Sequence, residues 1–285
     1  MISIPEPTED IIVKLLRLAN TKLPDDVGWA LEAAASWETD GIAYSQLGGI
    51  MDNAKKAEFL GRPMCQDTGI PVFYVSGKID ASTGEAIKKG LKRATEEIPL
   101  RPNTVHPITR HNSGDNLGDG MPIIHYTPTD EDGIVITVLP KGAGSENMTR
   151  LAMLNPSDGM DGIKKFVISA VLEAGGRPCP PTVVGVGIGG TSDRCTEMAK
   201  EALLRPLDHV NANDDERELE EELFTALNAS GLGPMGLGGN TTVLRVHIKT
   251  AYCHTASLPV SVNLNCWAAR RASVRIKDGR AEYFM

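Results

Sequence analysis

The sequence is short of basic charge. It carries 29 Lys and Arg against 37 Asp and Glu, a formal net charge of −8 over 285 residues. No basic stripe stands out, which argues against nucleic acid as a partner. Aromatic residues make up only 5% of the chain, too few to build stacking platforms for bases. No apolar run approaches the roughly 20 residues that span a bilayer. The stretch from Met1 to Thr8 is short and acidic and lacks a signal-peptide core, so the expected location is cytoplasmic. Cysteine is sparse: five residues, at 65, 179, 195, 253 and 266, with no CxxC pair. An odd, scattered set excludes a disulfide framework, and the missing close pairs exclude an ordinary structural zinc site. Three readings of the thiols stay open: buried core residues, a nucleophile, or ligands that folding brings together.

What is present can bury a core, since 41% of the residues are hydrophobic. The first 60 residues read as helices. Ile11, Ile12, Leu15, Leu16 and Ala19 share one helical face after Pro5, Pro7 and Thr8. Val27, Ala30, Leu31 and Ala34 repeat the pattern, as do Leu47, Ile50, Met51, Ala54 and Ala57. Beyond residue 61 the texture is mixed. A Gly- and Pro-bearing loop at 61–69 leads to a strand at 72–75, and a helix is predicted near 83–97. A long polar loop follows, from Arg101 to Met121. Runs at 123–126 and 134–139 read as adjacent antiparallel strands. The segment Pro140 to Asn147 opens another helix, and 162–173 forms a further one, ended by Gly175 and Gly176. A strand at 182–186 and a helix to Leu204 come next. Three strand-like runs close the chain, at 242–250, 258–265 and 272–276. The expectation is one α/β domain over 1–285: a helical N-terminal lobe of about 1–60, and a mixed α/β part of about 61–285.

Three features could carry chemistry. The run Gly185-Val-Gly-Ile-Gly-Gly190 contains G-x-G-x-x-G between a strand and a helix, the context of a dinucleotide site. The acidic residue at the right distance, Asp208, follows Pro206 in a loop, which favours a glycine turn for close backbone approach. The loop holding Arg101, Arg110, His111, Asn112, Asp115 and Asn116 is dense in donors and acceptors, although such loops often only cap helices. The segment Lys141-Gly-Ala-Gly-Ser-Glu-Asn147 offers glycine N–H groups at a helix start, which suits a carboxylate or phosphate. Together the two loops favour an anion site. The acidic run 214–222 reads as a solvated face, or as a docking face in a non-catalytic assembly protein.

Five segments sharpen this: CQDTG (65–69), HNSGDN (111–116), PKGAGSENM (140–148), CPPTVVGVGIGGTSD (179–193) and HTASLPVSVNLNCWAARR (254–271). In content and order the chain resembles the α subunit, or N-terminal domain, of class I iron–sulfur fumarases and L(+)-tartrate dehydratases. The resemblance implies a [4Fe–4S] cluster held by Cys65, Cys179 and Cys266. Three thiolates, rather than the four usual for electron transfer, leave one iron open as a Lewis acid. It further implies an acid/base role for Asp67, a place in the pocket for His254, and substrate contacts from Gln66, Arg101 and Gly144. Asn112 joins them as a substrate-binding candidate of the polar loop.

The resemblance also implies an incomplete site. In the family, the proton-abstracting residue and several carboxylate-binding groups come from a second module, supplied by a separate β subunit in an α2β2-type assembly. The expected activity is reversible hydration of fumarate to L-malate, with L(+)-tartrate dehydration to oxaloacetate as the alternative. A nicotinamide-dependent dehydrogenase using Gly185–Gly190 is the rival of a different class.

Overall fold

The computed structural model describes residues 8–79 and 81–285; the expectations resting on Pro5 and Pro7, and on the N-terminal stretch before Thr8, lie outside them. The fold is α/β, with helices and two mixed sheets and a helical N-terminal region. Helices α1 (Glu9–Thr21), α2 (Asp25–Trp37) and α3 (Gly41–Leu60) fill that region. Thr8 starts α1 by accepting the Ile11 N–H on its hydroxyl. The chain gathers into two compact units. One holds the residues to Pro24, Asn53–Ala143 and Arg270–Met285; the other holds Asp25–Asp52 and Gly144–Ala269. The three N-terminal helices are therefore shared between the units: α1 in the first, α2 in the second, and α3 running through the boundary.

The first unit is built on a five-stranded sheet, β2-β1-β3-β8-β9. Its strands are β1 (Ile70–Gly77), β2 (Ile123–Pro128), β3 (Ile134–Lys141), β8 (Ala272–Lys277) and β9 (Arg280–Phe284). The sequence suggests that β2 and β3 pair with each other. Instead β1 lies between them, parallel to β2 and antiparallel to β3. Burial agrees with the order: Val72, Phe73 and Val75 of β1 are all buried, as suits an inner strand, whereas β2 is half-exposed and suits an edge. Helices α1 and α4 (Ala81–Glu97) cover one face, and Ile12, Leu15, Leu16, Ile87 and Leu91 join Phe73, Ile136 and Val274 in the core. Gly90 lets the two helices meet, because a Cβ there would stand 2.5 Å from that of Ile12.

The second unit holds a four-stranded sheet, β4-β7-β5-β6, made of β4 (Arg150–Leu154), β5 (Thr182–Gly189), β6 (Val243–Ala251) and β7 (Leu258–Asn265). Central β5 runs parallel to β6 and antiparallel to β7. Its valines Val184 and Val186 pack with α6 (Gly159–Ala174) and α8 (Asp214–Asn228). Helix α7 (Ser192–Ala202) presses on the glycines of β5, whose missing side chains make room for its backbone. The helix expected after Pro140 shrinks to one turn, α5 (Ala143–Glu146), and the edge strand β4 follows it. A single turn offers no sustained helix dipole, so the anion cradle read at this segment rests on its glycine backbone alone. Among the described residues, no helix is long and apolar enough to cross a membrane.

Candidate active site

Two loops of the first unit carry five of the expected residues and bring them together. The loop before β1 is pinned at Met64, whose N–H donates to the Asn20 carbonyl (2.9 Å) and whose carbonyl accepts from Asn53 Nδ2 (2.7 Å). Cys65 and Gln66 then stand exposed, and Asp67 is half-buried. Three donors hold the Asp67 carboxylate. Oδ1 accepts from Gly69 N (2.9 Å) and Asn103 Nδ2 (3.1 Å), and Oδ2 accepts from Ala143 N (2.8 Å). Each of these three contacts is a donor, and Oδ2 keeps lone-pair capacity for one more partner.

The next residue joins this loop to the polar loop. Thr68 Oγ1 accepts the Arg101 N–H at 3.0 Å, so the Arg101 backbone is anchored while the residue stays exposed. Asn116, buried and at φ +60°, donates to the Arg101 carbonyl and accepts from Asn103 N at 2.7 Å. Asn112 donates to the Pro102 carbonyl (2.7 Å) and accepts from Gly114 N (2.8 Å), so its amide is occupied in shaping the loop next to Arg101. Asn103 has no counterpart among the sequence-derived candidates. Only its place in a loop rich in Asn and Asp hinted that it would hold a carboxylate.

Gly69 makes this arrangement possible. Its φ is +79°, and a Cβ there would stand 2.8 Å from the backbone of both Pro140 and Lys141. Gly69→Ala is therefore expected to lower stability by about 1–3 kcal/mol, as overpacking against backbone does, and to loosen Asp67. Urea unfolding monitored by circular dichroism checks the first effect.

The second unit brings together Cys179 and Cys266, which are far apart in sequence. The Trp267 N–H donates to the Cys179 carbonyl at 3.1 Å. Cys179 is exposed and sits in the left-handed region at φ +56°; Cys266 is half-buried just past the end of β7. Gly144 belongs to the same corner, since a Cβ there would be 2.8 Å from the Arg177 carbonyl, two residues before Cys179. Glu146 is fixed by Lys200 Nζ (2.6 Å) and Asn263 Nδ2 (3.2 Å). Asn265, next to Cys266, is buried, and its Nδ2 has no partner. An unsatisfied buried donor in the residue next to Cys266 marks a place where a further acceptor fits.

His254 stands elsewhere. It precedes β7, whereas Cys266 follows it, and that eight-residue strand is roughly 23 Å long at 3.3 Å per residue. His254 is exposed, and its Nδ1 accepts the Ala256 N–H, which puts the proton of the neutral ring on Nε2. The remaining cysteines differ in setting. Cys195 is fully buried, donates to the Gly187 carbonyl, and burial pushes its thiol up to about 11, so it stays protonated at neutral pH. Cys253 is exposed and donates to the Ser257 carbonyl. None of the five cysteines is in a disulfide, and among the described residues no three His, Cys, Asp or Glu side chains form a metal-binding group.

The chain resembles known proteins over most of its length. Residues 9–275 match the family described as fumarate hydratase (Fumerase). A protein of Methanocaldococcus jannaschii named "Putative L(+)-tartrate dehydratase subunit alpha" is 49% identical, over 94% of this chain and 97% of that one. A Geobacillus stearothermophilus protein named "Putative fumarate hydratase class I" is 37% identical, over 97% of this chain but only 56% of its own length. The L(+)-tartrate dehydratase subunit alpha of Escherichia coli K12 is 35% identical, over 94% of this chain and 90% of that one.

Proposed function

The chain belongs to the fumarate hydratase (Fumerase) family of hydro-lyases, and from that premise we propose that it is an α-type subunit that hydrates fumarate to L-malate reversibly. The observation that carries this reading is the Cys179–Cys266 corner, where the Trp267 N–H donates to the Cys179 carbonyl and draws together the main chain at two cysteines that all of β5 to β7 separates in sequence. The donor set fits an iron–sulfur cluster. Cys65 and Cys179 are exposed and Cys266 is half-buried, each lies outside helix and strand, and the free Asn265 Nδ2 suits a sulfur acceptor. Cys65, Cys179 and Cys266 would hold a [4Fe–4S] cluster. When bound, such a cluster with one open iron supplies Lewis acidity toward a hydroxyl and a carboxylate.

The protein groups divide the remaining work. Arg101 binds one substrate carboxylate through its exposed guanidinium, a planar fork suited to that task. Gln66 and the Gly144 backbone contact the same substrate. Asp67 moves a proton through Oδ2, the oxygen with capacity to spare. Asn112 supports Arg101 by shaping its loop. His254 lies at the other end of β7 from Cys266, and its catalytic role is part of the same proposal.

The relatives named as subunit alpha support a separate β subunit as partner, in an α2β2-type assembly that completes the site. A cytoplasmic location is part of the same reading. The relative at 49% identity favours a second substrate, L(+)-tartrate. Anaerobic reconstitution with iron and sulfide, followed by assembly with a β subunit and turnover assays on malate and tartrate, tests all of this. The chain alone is expected to bind iron but to show no turnover. A metal-free chain, or full activity without a partner, overturns the proposal, and the malate-to-tartrate ratio of kcat/KM assigns the substrate.

A further inference from the structure

Arg270 is among the largest fully buried side chains, 2% exposed, and it carries a charge that proteins do not remove. Such a group needs a counter-charge or a complete set of acceptors. Its hydrogen bonding is thin: one nitrogen donates to Asn20 Oδ1 at 3.4 Å, and Nε has no partner. Among the described residues of the first unit, no aspartate or glutamate is buried, while Lys141, Arg270 and Arg271 are. The nearby carboxylate is that of half-buried Asp67. Its Oδ2 lies 3.3 Å, and Arg270 Nη2 lies 3.5 Å, from the point a Cβ on Gly142 would occupy. The two groups therefore flank the Gly142 turn, within about 7 Å of each other, a range at which charges still couple when partly shielded from water. At its other end the same guanidinium meets Asn20, whose carbonyl pins Met64 at the start of the loop.

We propose that Arg270 is a positioning residue: its buried guanidinium braces the Met64–Gly69 loop between Asn20 and the Gly142 turn, and holds the Asp67 carboxylate where the reaction uses it. This rests on the proton-transfer role of Asp67 given above. A brace with only a structural role is replaceable by an apolar side chain of similar length, often without loss of stability. A positioning role is not, because a small displacement of a reacting group costs rate.

The test is a double-mutant cycle on the cluster-loaded complex with its β subunit. Arg270→Met is expected to melt within a few degrees of the parent and to keep its cluster absorbance and its KM, while kcat falls about 10- to 100-fold. In an Asp67→Asn background the same change is expected to cost less than about 3-fold, because the group it positions is already gone. Parent-like kcat in Arg270→Met, or equal losses in both backgrounds, overturns the proposal. If Arg270→Met does not fold, Arg270→Lys carries the test, since it keeps the charge without the fork. Its kcat is expected to fall about tenfold at unchanged KM, and parent-like kcat overturns the proposal. Full turnover in Asp67→Asn would instead overturn the role of Asp67, an outcome distinct from the failure of Arg270.

Discussion

Changing Cys65, Cys179 or Cys266 to serine, one at a time, is expected to strip the reconstituted complex of iron and to lower turnover by roughly 10³-fold or more. The size follows from the several kcal/mol that a Lewis acid contributes, at 1.36 kcal/mol per factor of ten. Cys253→Ser is expected to change neither quantity. Its thiol is exposed and engaged only with the carbonyl of Ser257, in the segment that precedes β7, away from the Cys266 end. Cys195→Ser is expected to leave iron content intact and to cost some stability. The buried thiol already donates to the Gly187 carbonyl, and a hydroxyl can replace that bond less comfortably in an apolar site. Iron and sulfide counts on the five variants, with circular dichroism to confirm folding, separate the two classes. Equal iron in the parent and in all three of the first set would remove the cluster from the mechanism, whatever the activity.

This contrast also shows how far the residues alone reach. Sequence spacing left the five cysteines equivalent. Their environments sort them: Cys195 lies inside a helix against a strand, while Cys179 and Cys266 meet through main chain that no local pattern encodes. The pattern located α1, α4 and α6 well, because each buries one stripe of a long helix. It failed where non-local pairing decides. The insertion of β1 between β2 and β3 depends on which strand needs two covered edges. The edge strands β4 and β9 give only weak patterns, because residues on both of their sides meet solvent. The segment Pro140 to Asn147 looked like a helix start because its glycines and glutamate suit one, yet Met148 and the β4–β7 pairing take over after a single turn. In the polar loop, Asn112 and Asn116 were visible as polar residues, but not as the scaffold that aims Arg101.

The glycine run at 185–190 is where sequence pattern and packing diverge most, and it yields the other large expected effect. Read as G-x-G-x-x-G, these residues would approach a pyrophosphate. In the fold their open space is already taken. A Cβ at Gly185 would lie 2.0 Å from the Ala199 carbonyl, one at Gly187 would lie 2.0 Å from the Cys195 carbonyl, and one at Gly189 would lie 1.9 Å from the Ala251 carbonyl. The first two neighbours are the backbone of α7 and the third is the end of β6, so none can yield as a flexible side chain would. Gly185→Ala and Gly187→Ala are each expected to cost about 3 kcal/mol or more, at the upper end of overpacking, because α7 must lift from β5. Gly48→Ala is the control. It lies within α3 with nothing within 4 Å of a new Cβ, so removing the glycine should stabilise the helix by about 0.8–1 kcal/mol. Guanidinium unfolding of the three variants measures the differences. A small cost at Gly185 and Gly187 would mean that α7 stands clear of the strand and would reopen the turn to a phosphate. A large cost makes these glycines the seam between β5 and α7, the strand–helix pair that follows directly on the Cys179 corner and holds it to the sheet.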